Sequence, residues 1–378
     1  MNDPSFIETA SFSDVSDREQ LQALNTQLAY AAAHSAYYRE TLGAHSALRS
    51  LEELRTLPLT DENTIKTQGS RLSCVSAASV ARIVSLRSSG TTDRPKRLFF
   101  TEGDLQRTMD FFCEGMQWMT APGDRVGIFF PGEAPDGLND LLSRGLAAFG
   151  ALPTRYGEIS DAALTAEKLR WDRPDVLVGM PWQIRALAIF IPELRPRSVL
   201  LSADFVPETL RVFIAERWRC PVLTHYGLTE SGYGLAVQHP NADGMYYRRS
   251  DFYLEVIDPG TELPVPCGAE GELVLTTLRR EAMPLVRYRT GDRAVMLDEK
   301  RIARIPGRIG IADEFYSLQK TLAPLPWLVD YAEQDGGLIA NVTAEAPEAC
   351  EVLLAECTGK ESTLCKLSGE LLNGGKRT

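Results

Sequence analysis

From Asp124 onward, short apolar runs alternate with amphipathic stretches along the chain. The apolar runs at 126–130, 151–154, 176–178, 199–201 and 222–224 read as strands, and 138–149, 162–171, 182–190 and 208–218 as the helices between them. Strands without a polar face need cover on both sides, which predicts a parallel sheet flanked by helices, with ligands at the carboxyl ends of the strands. Upstream, Leu21, Leu24 and Leu28 share one helical face and Leu48, Leu51 and Leu54 form a second patch, so 18–70 reads as a helical cap that Pro58 ends. After Gly244 the period falls to two. Residues 252–257, 271–275, 286–288 and 294–297, punctuated by Asp258-Pro-Gly and Pro284, predict an antiparallel, barrel-like subdomain. Beyond Lys300, 327–331 and 338–344 with a helical 346–357 predict a small α+β unit. The expected fold class is therefore α/β. A core domain spans 1–305, comprising cap, sheet and barrel-like subdomain from about 244, and a short C-terminal lid spans 306–378.

Composition narrows the functional classes. At 378 residues, with 44% hydrophobic and 24% charged side chains, the chain has enough material for two packed domains and is neither disordered nor fibrous. Forty basic residues against 51 acidic ones give a net charge of −11, without a concentrated basic stripe, which argues against a nucleic-acid partner. The polar, acidic 1–20 lacks the pattern of a secretory signal, and the longest apolar stretches, such as 186–192, are far too short to span a bilayer. No membrane partner and a cytoplasmic location are expected. Seven scattered cysteines without a C-x-x-C pair indicate reduced thiols rather than a disulfide framework or structural zinc.

Three polar segments carry candidate chemistry. Ser85-Leu-Arg-Ser-Ser-Gly-Thr-Thr-Asp-Arg-Pro-Lys places Ser88, Ser89, Gly90, Thr91 and Thr92 before Lys96, between two apolar runs. Hydroxyls and backbone N–H groups folded closely in a hairpin can cradle phosphate, although a plain polar turn has the same composition. His225-Tyr-Gly-Leu-Thr-Glu-Ser-Gly follows the last parallel strand. There Tyr226 offers a flat face to a base, Gly227 close approach, Thr229 a hydroxyl for phosphate and Glu230 a hard oxygen for Mg²⁺. In Met283-Pro-Leu-Val-Arg-Tyr-Arg-Thr-Gly-Asp, Asp292 could accept both hydroxyls of a ribose.

In this order the segments resemble the phosphate loop, the Tyr-Gly-x-Thr-Glu segment and the Arg-Thr-Gly-Asp segment of adenylate-forming enzymes: acyl-CoA synthetases, peptide-synthetase adenylation domains and luciferases. Ile257-Asp-Pro, Gly271-Glu-Leu-Val-Leu-Thr-Thr-Leu and Glu281-Ala-Met-Pro-Leu-Val-Arg-Tyr-Arg-Thr-Gly-Asp, with Tyr37-Tyr-Arg-Glu and Leu57-Pro-Leu-Thr, are most similar to the phenylacetate–CoA ligase group. The resemblance runs over residues 30–310. It implies activation of a small carboxylic acid as acyl-AMP with release of pyrophosphate, then transfer to the thiol of coenzyme A. ATP, Mg²⁺ and CoA are the implied cofactor and co-substrates. Ser88, Ser89, Gly90, Thr91, Thr92 and Lys96 would hold the β,γ-phosphates, Thr229 the α-phosphate and Glu230 the metal. Tyr226, Ala203 and Asp204 would frame adenine, Asp292 would bind ribose, and Arg308 would add positive charge at the ribose and hinge. Lys376, in Asn373-Gly-Gly-Lys, resembles the lysine that reaches the acyl-phosphate. Phe129, Phe130, Pro131, Gly179, Trp182 and Tyr233 follow strand ends and are candidate walls of an acyl pocket, whose aromatic content would suit an aryl acid.

Departures from the family pattern keep alternatives open. Asp93 stands where the phosphate loop normally has Gly; at about 8 Å from a phosphate, with an effective dielectric near 20, its repulsion is roughly 2 kcal/mol. The hinge reads Gly307-Arg-Ile-Gly-Ile-Ala-Asp, with the usual acid displaced to Asp313, and the lid is short. A carrier protein, an amine or a protein cysteine such as Cys365 are alternative acceptors. A degenerate nucleotide-binding regulatory module is the alternative from another class, and a homodimer is left open.

Overall fold

The structure, a computed structural model, describes residues 14–43, 47–86, 94–132, 134–334, 337–360 and 363–372. In chain order its strands are β1 (Arg82–Leu86), β2 (Lys96–Phe100), β3 (Arg125–Phe129), β4 (Leu152–Arg155), β5 (Val176–Gly179), β6 (Ser198–Leu201), β7 (Val222–Tyr226) and β8 (Ala236–Gln238). They continue as β9 (Met245–Tyr247), β10 (Phe252–Ile257), β11 (Glu270–Thr277), β12 (Tyr288–Asp298), β13 (Arg301–Arg308), β14 (Leu328–Gln334), β15 (Gly337–Val342) and β16 (Thr363–Leu367). The chain forms two compact units and passes between them three times: one unit comprises Met1–Trp118 and Tyr226–Ile309, the other Met119–His225 and Gly310–Thr378.

The first unit contains the β1–β2 hairpin and antiparallel strands ordered β10-β11-β12-β13-β9-β8. Its helical cap is interrupted. Ser35, in extended conformation, ends helix Asp17–His34, and its hydroxyl accepts from Tyr38 N to start helix Ala36–Thr41. Asp61 then caps a further helix, Glu62–Leu72, beyond Pro58. The cap is tied to the antiparallel strands and loops by polar side chains: Gln20 Nε2 donates to Arg249 O and Phe252 O, and Tyr38 Oη to Pro284 O. Helix Glu102–Met116, which the sequence pattern did not yield, starts in a capping box of Thr101 and Asp104.

In the second unit β4-β3-β5-β6-β7 are parallel in that order, and β3, β5 and β6 are buried almost throughout, as expected for strands covered on both faces. Residues 310–372, expected as a lid, supply helices Asp313–Leu322 and Cys350–Thr358 and the sheet β14-β15-β16. Their apolar side chains, among them Leu318, Leu322, Val329, Leu338 and Leu354, belong to one hydrophobic core with Leu177, Trp182, Leu187, Val199 and Ile214. At its centre Arg185, 0% exposed, donates to the carbonyls of Ala323, Leu325 and Leu328 at 2.6, 2.5 and 2.6 Å. The turn between helix Asp313–Leu322 and β14 is thus held by a buried cation lying across the Trp182 and Phe213 rings.

Candidate active site

In the first unit, β2 alternates inward and outward, placing Lys96, Leu98 and Phe100 on the buried side. Lys96 Nζ reaches Glu230 Oε1 at 2.6 Å, with Glu62 Oε2 at 3.7 Å from helix Glu62–Leu72. The phosphate-loop residues Ser88, Ser89, Gly90, Thr91, Thr92 and Asp93, like Lys376, lie outside the described residues. The strands that carry the loop form the antiparallel hairpin that the sequence implies, with Leu86 opposite Lys96.

Beyond Tyr226 the chain turns tightly: Ser231 N and Tyr233 N both donate to Leu228 O, and Gly232 N donates to Thr229 O. This turn leaves Thr229 partly exposed and sinks Glu230 to 7% exposure. Two successive residues, Gly232 (φ 76°) and Tyr233 (φ 71°), are left-handed, a conformation that costs a non-glycine residue about 1–2 kcal/mol. Tyr233 stacks on Phe100 with ring centroids 6.4 Å apart.

Strand β12 carries the remaining polar groups. Tyr288, Thr290 and Asp292 are buried at alternate positions and so share a face. Tyr288 Oη donates to Glu230 Oε1 at 2.8 Å. Asp292, 5% exposed, accepts from Tyr226 Oη at 2.7 Å and faces Arg308 Nε at 3.0 Å, its cross-strand partner on β13. Arg308 also donates to Thr290 O. Burial pushes the Asp292 carboxyl above the ordinary carboxylate range, while Arg308 and the Tyr226 hydroxyl hold it down in part. Burial, reinforced by the neighbouring carboxylate, raises both tyrosines, Tyr226 beside Asp292 and Tyr288 beside Glu230. Both therefore keep their protons and act as donors. Tyr288 was not singled out from the sequence; alternation within the Arg-Tyr-Arg-Thr-Gly-Asp segment, two and four residues from Thr290 and Asp292, was the signal that could have found it.

The second unit carries the other candidates. Ala203, left-handed at φ 69°, and Asp204, whose Oδ1 accepts from Phe205 N, follow β6. Ser202 Oγ and His225 Nδ1 meet at 2.7 Å, joining the ends of β6 and β7. Burial drives the His225 imidazole down to about 3, so it is neutral. Of the candidate acyl-pocket residues, Pro131 is partly exposed and Phe130 buried. Phe129 stacks on Tyr156. A Cβ on Gly179 would fall 2.8 Å from Ile184 and 2.9 Å from Phe129. Trp182 is wholly buried, donates Nε1 to Gln319 Oε1 at 3.1 Å and meets Tyr331 edge-on. Core packing accounts for Phe129, Gly179 and Trp182.

Among the described residues no group of three or more His, Cys, Asp or Glu side chains is placed to hold a metal by itself. Mg²⁺ commonly binds through one or two carboxylates together with substrate phosphates, and Glu230 fits that single-carboxylate role. Lys96 and Tyr288 both donate to its Oε1 and so orient the carboxylate.

The fold is that of acyl-CoA ligases. The chain superposes on the crystal structure of 2-hydroxyisobutyryl-CoA ligase bound to R3-HIB-AMP with a TM-score of 0.76 at 19% identity, over 100% of this chain and 93% of that one. No protein-family model matches the sequence. It is 30% identical over 327 residues to the phenylacetate–coenzyme A ligase of Pseudomonas putida, covering 80% of this chain and 72% of that protein. It is also 28% identical over 339 residues to the enzyme of the same name from Escherichia coli strain K12, covering 80% and 73%. The chain belongs to the phenylacetate–coenzyme A ligase family.

Proposed function

We propose that the protein is an AMP-forming acid–thiol ligase. It activates a small, aromatic or arylacetic carboxylic acid with ATP and passes the acyl group to coenzyme A. The observation that carries this reading is the shared face of β12: Tyr288 leads to Glu230 and Lys96, the groups suited to polyphosphate, and four residues on Asp292 is held by Tyr226 and Arg308, ready for ribose hydroxyls. In the first step an oxygen of the substrate carboxylate bonds to the α-phosphorus of ATP, and the bond from that phosphorus to the bridging β-oxygen breaks, releasing pyrophosphate. In the second the CoA sulfur, having given up its proton, bonds to the acyl carbon and AMP leaves with the electron pair.

The residues act chiefly by placement and charge neutralisation. Lys96, with Ser88, Ser89, Gly90, Thr91 and Thr92, holds the β,γ-phosphates, Thr229 the α-phosphate, and Lys376 the reacting oxygens. Glu230 would hold Mg²⁺, which neutralises phosphate charge when bound. Fixing both Asp292 oxygens before the nucleotide arrives lowers the cost of ordering that carboxylate on binding. A protein-cysteine acceptor at Cys365 is disfavoured, because burial and the adjoining Cys350 push its thiol up to about 12 and leave little thiolate at neutral pH. No helix among the described residues is long and apolar enough to cross a membrane, and we place the reaction in the cytoplasm.

The test is acid-dependent exchange of pyrophosphate into ATP over a panel of aryl, arylacetic and short aliphatic acids. CoA, a pantetheinyl carrier protein and amines are then offered separately to the preformed acyl-AMP. Exchange with at least one acid and consumption of CoA are expected. ATP binding without exchange on any acid would favour the regulatory module instead.

A further inference from the structure

Arg280 has no part in the chemistry above, yet it touches both halves of the polyphosphate end of the site. Its side chain is buried, the residue being 9% exposed, in the segment between β11 and β12. One terminal nitrogen donates to the backbone carbonyl of Glu230 at 3.1 Å. The guanidinium lies 4.9 Å from the centroid of Phe100, the last residue of the strand that Lys96 begins. The turn makes room for it at Gly232, where a Cβ would stand 3.1 Å from the same nitrogen. Gln27 Nε2 anchors the Arg280 carbonyl from the helical cap. Beside the guanidinium, a cavity of about 30 Å³ bordered by Asp104, Thr108, Phe111 and Ser231 has room for about one water molecule. A cation placed here carries a large desolvation cost, and an apolar side chain would fill the space at lower cost.

We infer that Arg280 is a positioning residue of the metal–nucleotide site: by gripping the Glu230 peptide from one side and the Phe100 ring from the other, it sets the Glu230 carboxylate in register with Lys96. This rests on the functional reading above. The bond to a main-chain carbonyl makes the effect specific to where Glu230 points, and Phe100 transmits the restraint to β2. Arg280 would therefore govern the contribution of Mg²⁺ to ATP binding, whereas binding of metal-free ATP would depend on it little.

The test compares ATP dissociation constants, measured by calorimetry on the full chain with and without Mg²⁺, for wild type, Arg280→Met and Arg280→Lys. Thermal unfolding is followed in parallel. For Arg280→Met, metal-free ATP binding is expected within twofold of wild type, while the tightening produced by Mg²⁺ falls tenfold or more. Arg280→Lys keeps the charge but not the fork, and should lose about threefold of that tightening. Should the Met variant fail to fold, the Lys variant alone decides. Variants equal to wild type in both conditions, or variants weakened equally with and without Mg²⁺, overturn the inference. A wild-type chain that binds no ATP in either condition removes the functional reading and this inference with it. A wild type that binds Mg·ATP beside an indifferent Arg280→Met removes the inference alone.

Discussion

Replacing Arg185 by Leu should weaken the second unit selectively. Three buried carbonyls, of Ala323, Leu325 and Leu328, lose a charged donor, and each such bond contributes about 1.5–3 kcal/mol. Contacts with the Trp182 and Phe213 rings add about 0.5–2 kcal/mol each. Against this, leucine removes a desolvation cost of several kcal/mol, so the net loss should be about 3–5 kcal/mol. Lysine can satisfy one carbonyl and should lose about 2 kcal/mol. Urea unfolding followed through the buried Trp182 and Trp218 gives the magnitude. Amide hydrogen exchange gives the location: protection should fall in β14, β15 and helix Pro181–Phe190, and persist in β10 and β11. A loss under about 1 kcal/mol, or equal loss of protection in both units, would show that apolar contacts alone hold 310–372 and that the cation is incidental.

Four further outcomes can be checked separately. In wild type the neutral, buried His225 is opposed by an unfolded-state histidine that protonates near 6.5, so between about pH 6.5 and 3 the unfolded chain binds more protons. His225 should therefore make stability fall with acidification by up to about 1.4 kcal/mol per pH unit, a contribution by which denaturation midpoints at pH 7, 5 and 4 should show a shallower slope in His225→Asn. Lys376→Ala should abolish acyl-AMP formation, read by mass spectrometry, with the ATP dissociation constant hardly changed; an undiminished rate would remove Lys376 from the mechanism. Asp93→Gly should tighten ATP by as much as about 2 kcal/mol in calorimetry, and equal affinities would mean that its charge is already paired. Gly271→Ala would drive a Cβ into Ile257 O, so thermal unfolding and exchange should report a loss of about 2–4 kcal/mol, with protection falling at β10 and β11. A neutral effect would mean that the two strands can spread.

The parallel strands were legible because apolar runs covered on both sides admit few other readings. The expected 126–130 is shifted by one residue from Arg125–Phe129, and the expected 176–178 stops one residue short of Val176–Gly179. Strand β13 was not legible. Arg301, Arg304 and Arg308 interrupt its apolar positions and Pro306 signals a break, although the cross-strand pairing of Arg308 with Asp292 holds it there. Helix Glu102–Met116 was not legible despite the Thr101–Asp104 box at its start, because Gly103 and Gly115, poor helix formers, stand near its two ends. Within the site, Lys96, Tyr226, Glu230 and Asp292 could be named from motifs. Tyr288 was reachable only through strand alternation with Asp292, and Arg280 not at all, since the partner of each is Glu230, 58 and 50 residues away in the chain. Local pattern specifies the element on which a side chain stands; only tertiary packing specifies its neighbour.

Because Tyr288 and Asp292 stand on one strand, the distance between the two polar clusters is set by covalent backbone, on the order of 10 Å for four residues. On the proposed assignment that strand would fix the spacing between the ribose end and the polyphosphate end of a bound nucleotide. Under the same assignment AMP would keep only the contacts at the Asp292 end, because the groups at the Lys96 and Glu230 end are those assigned to the phosphates that leave as pyrophosphate.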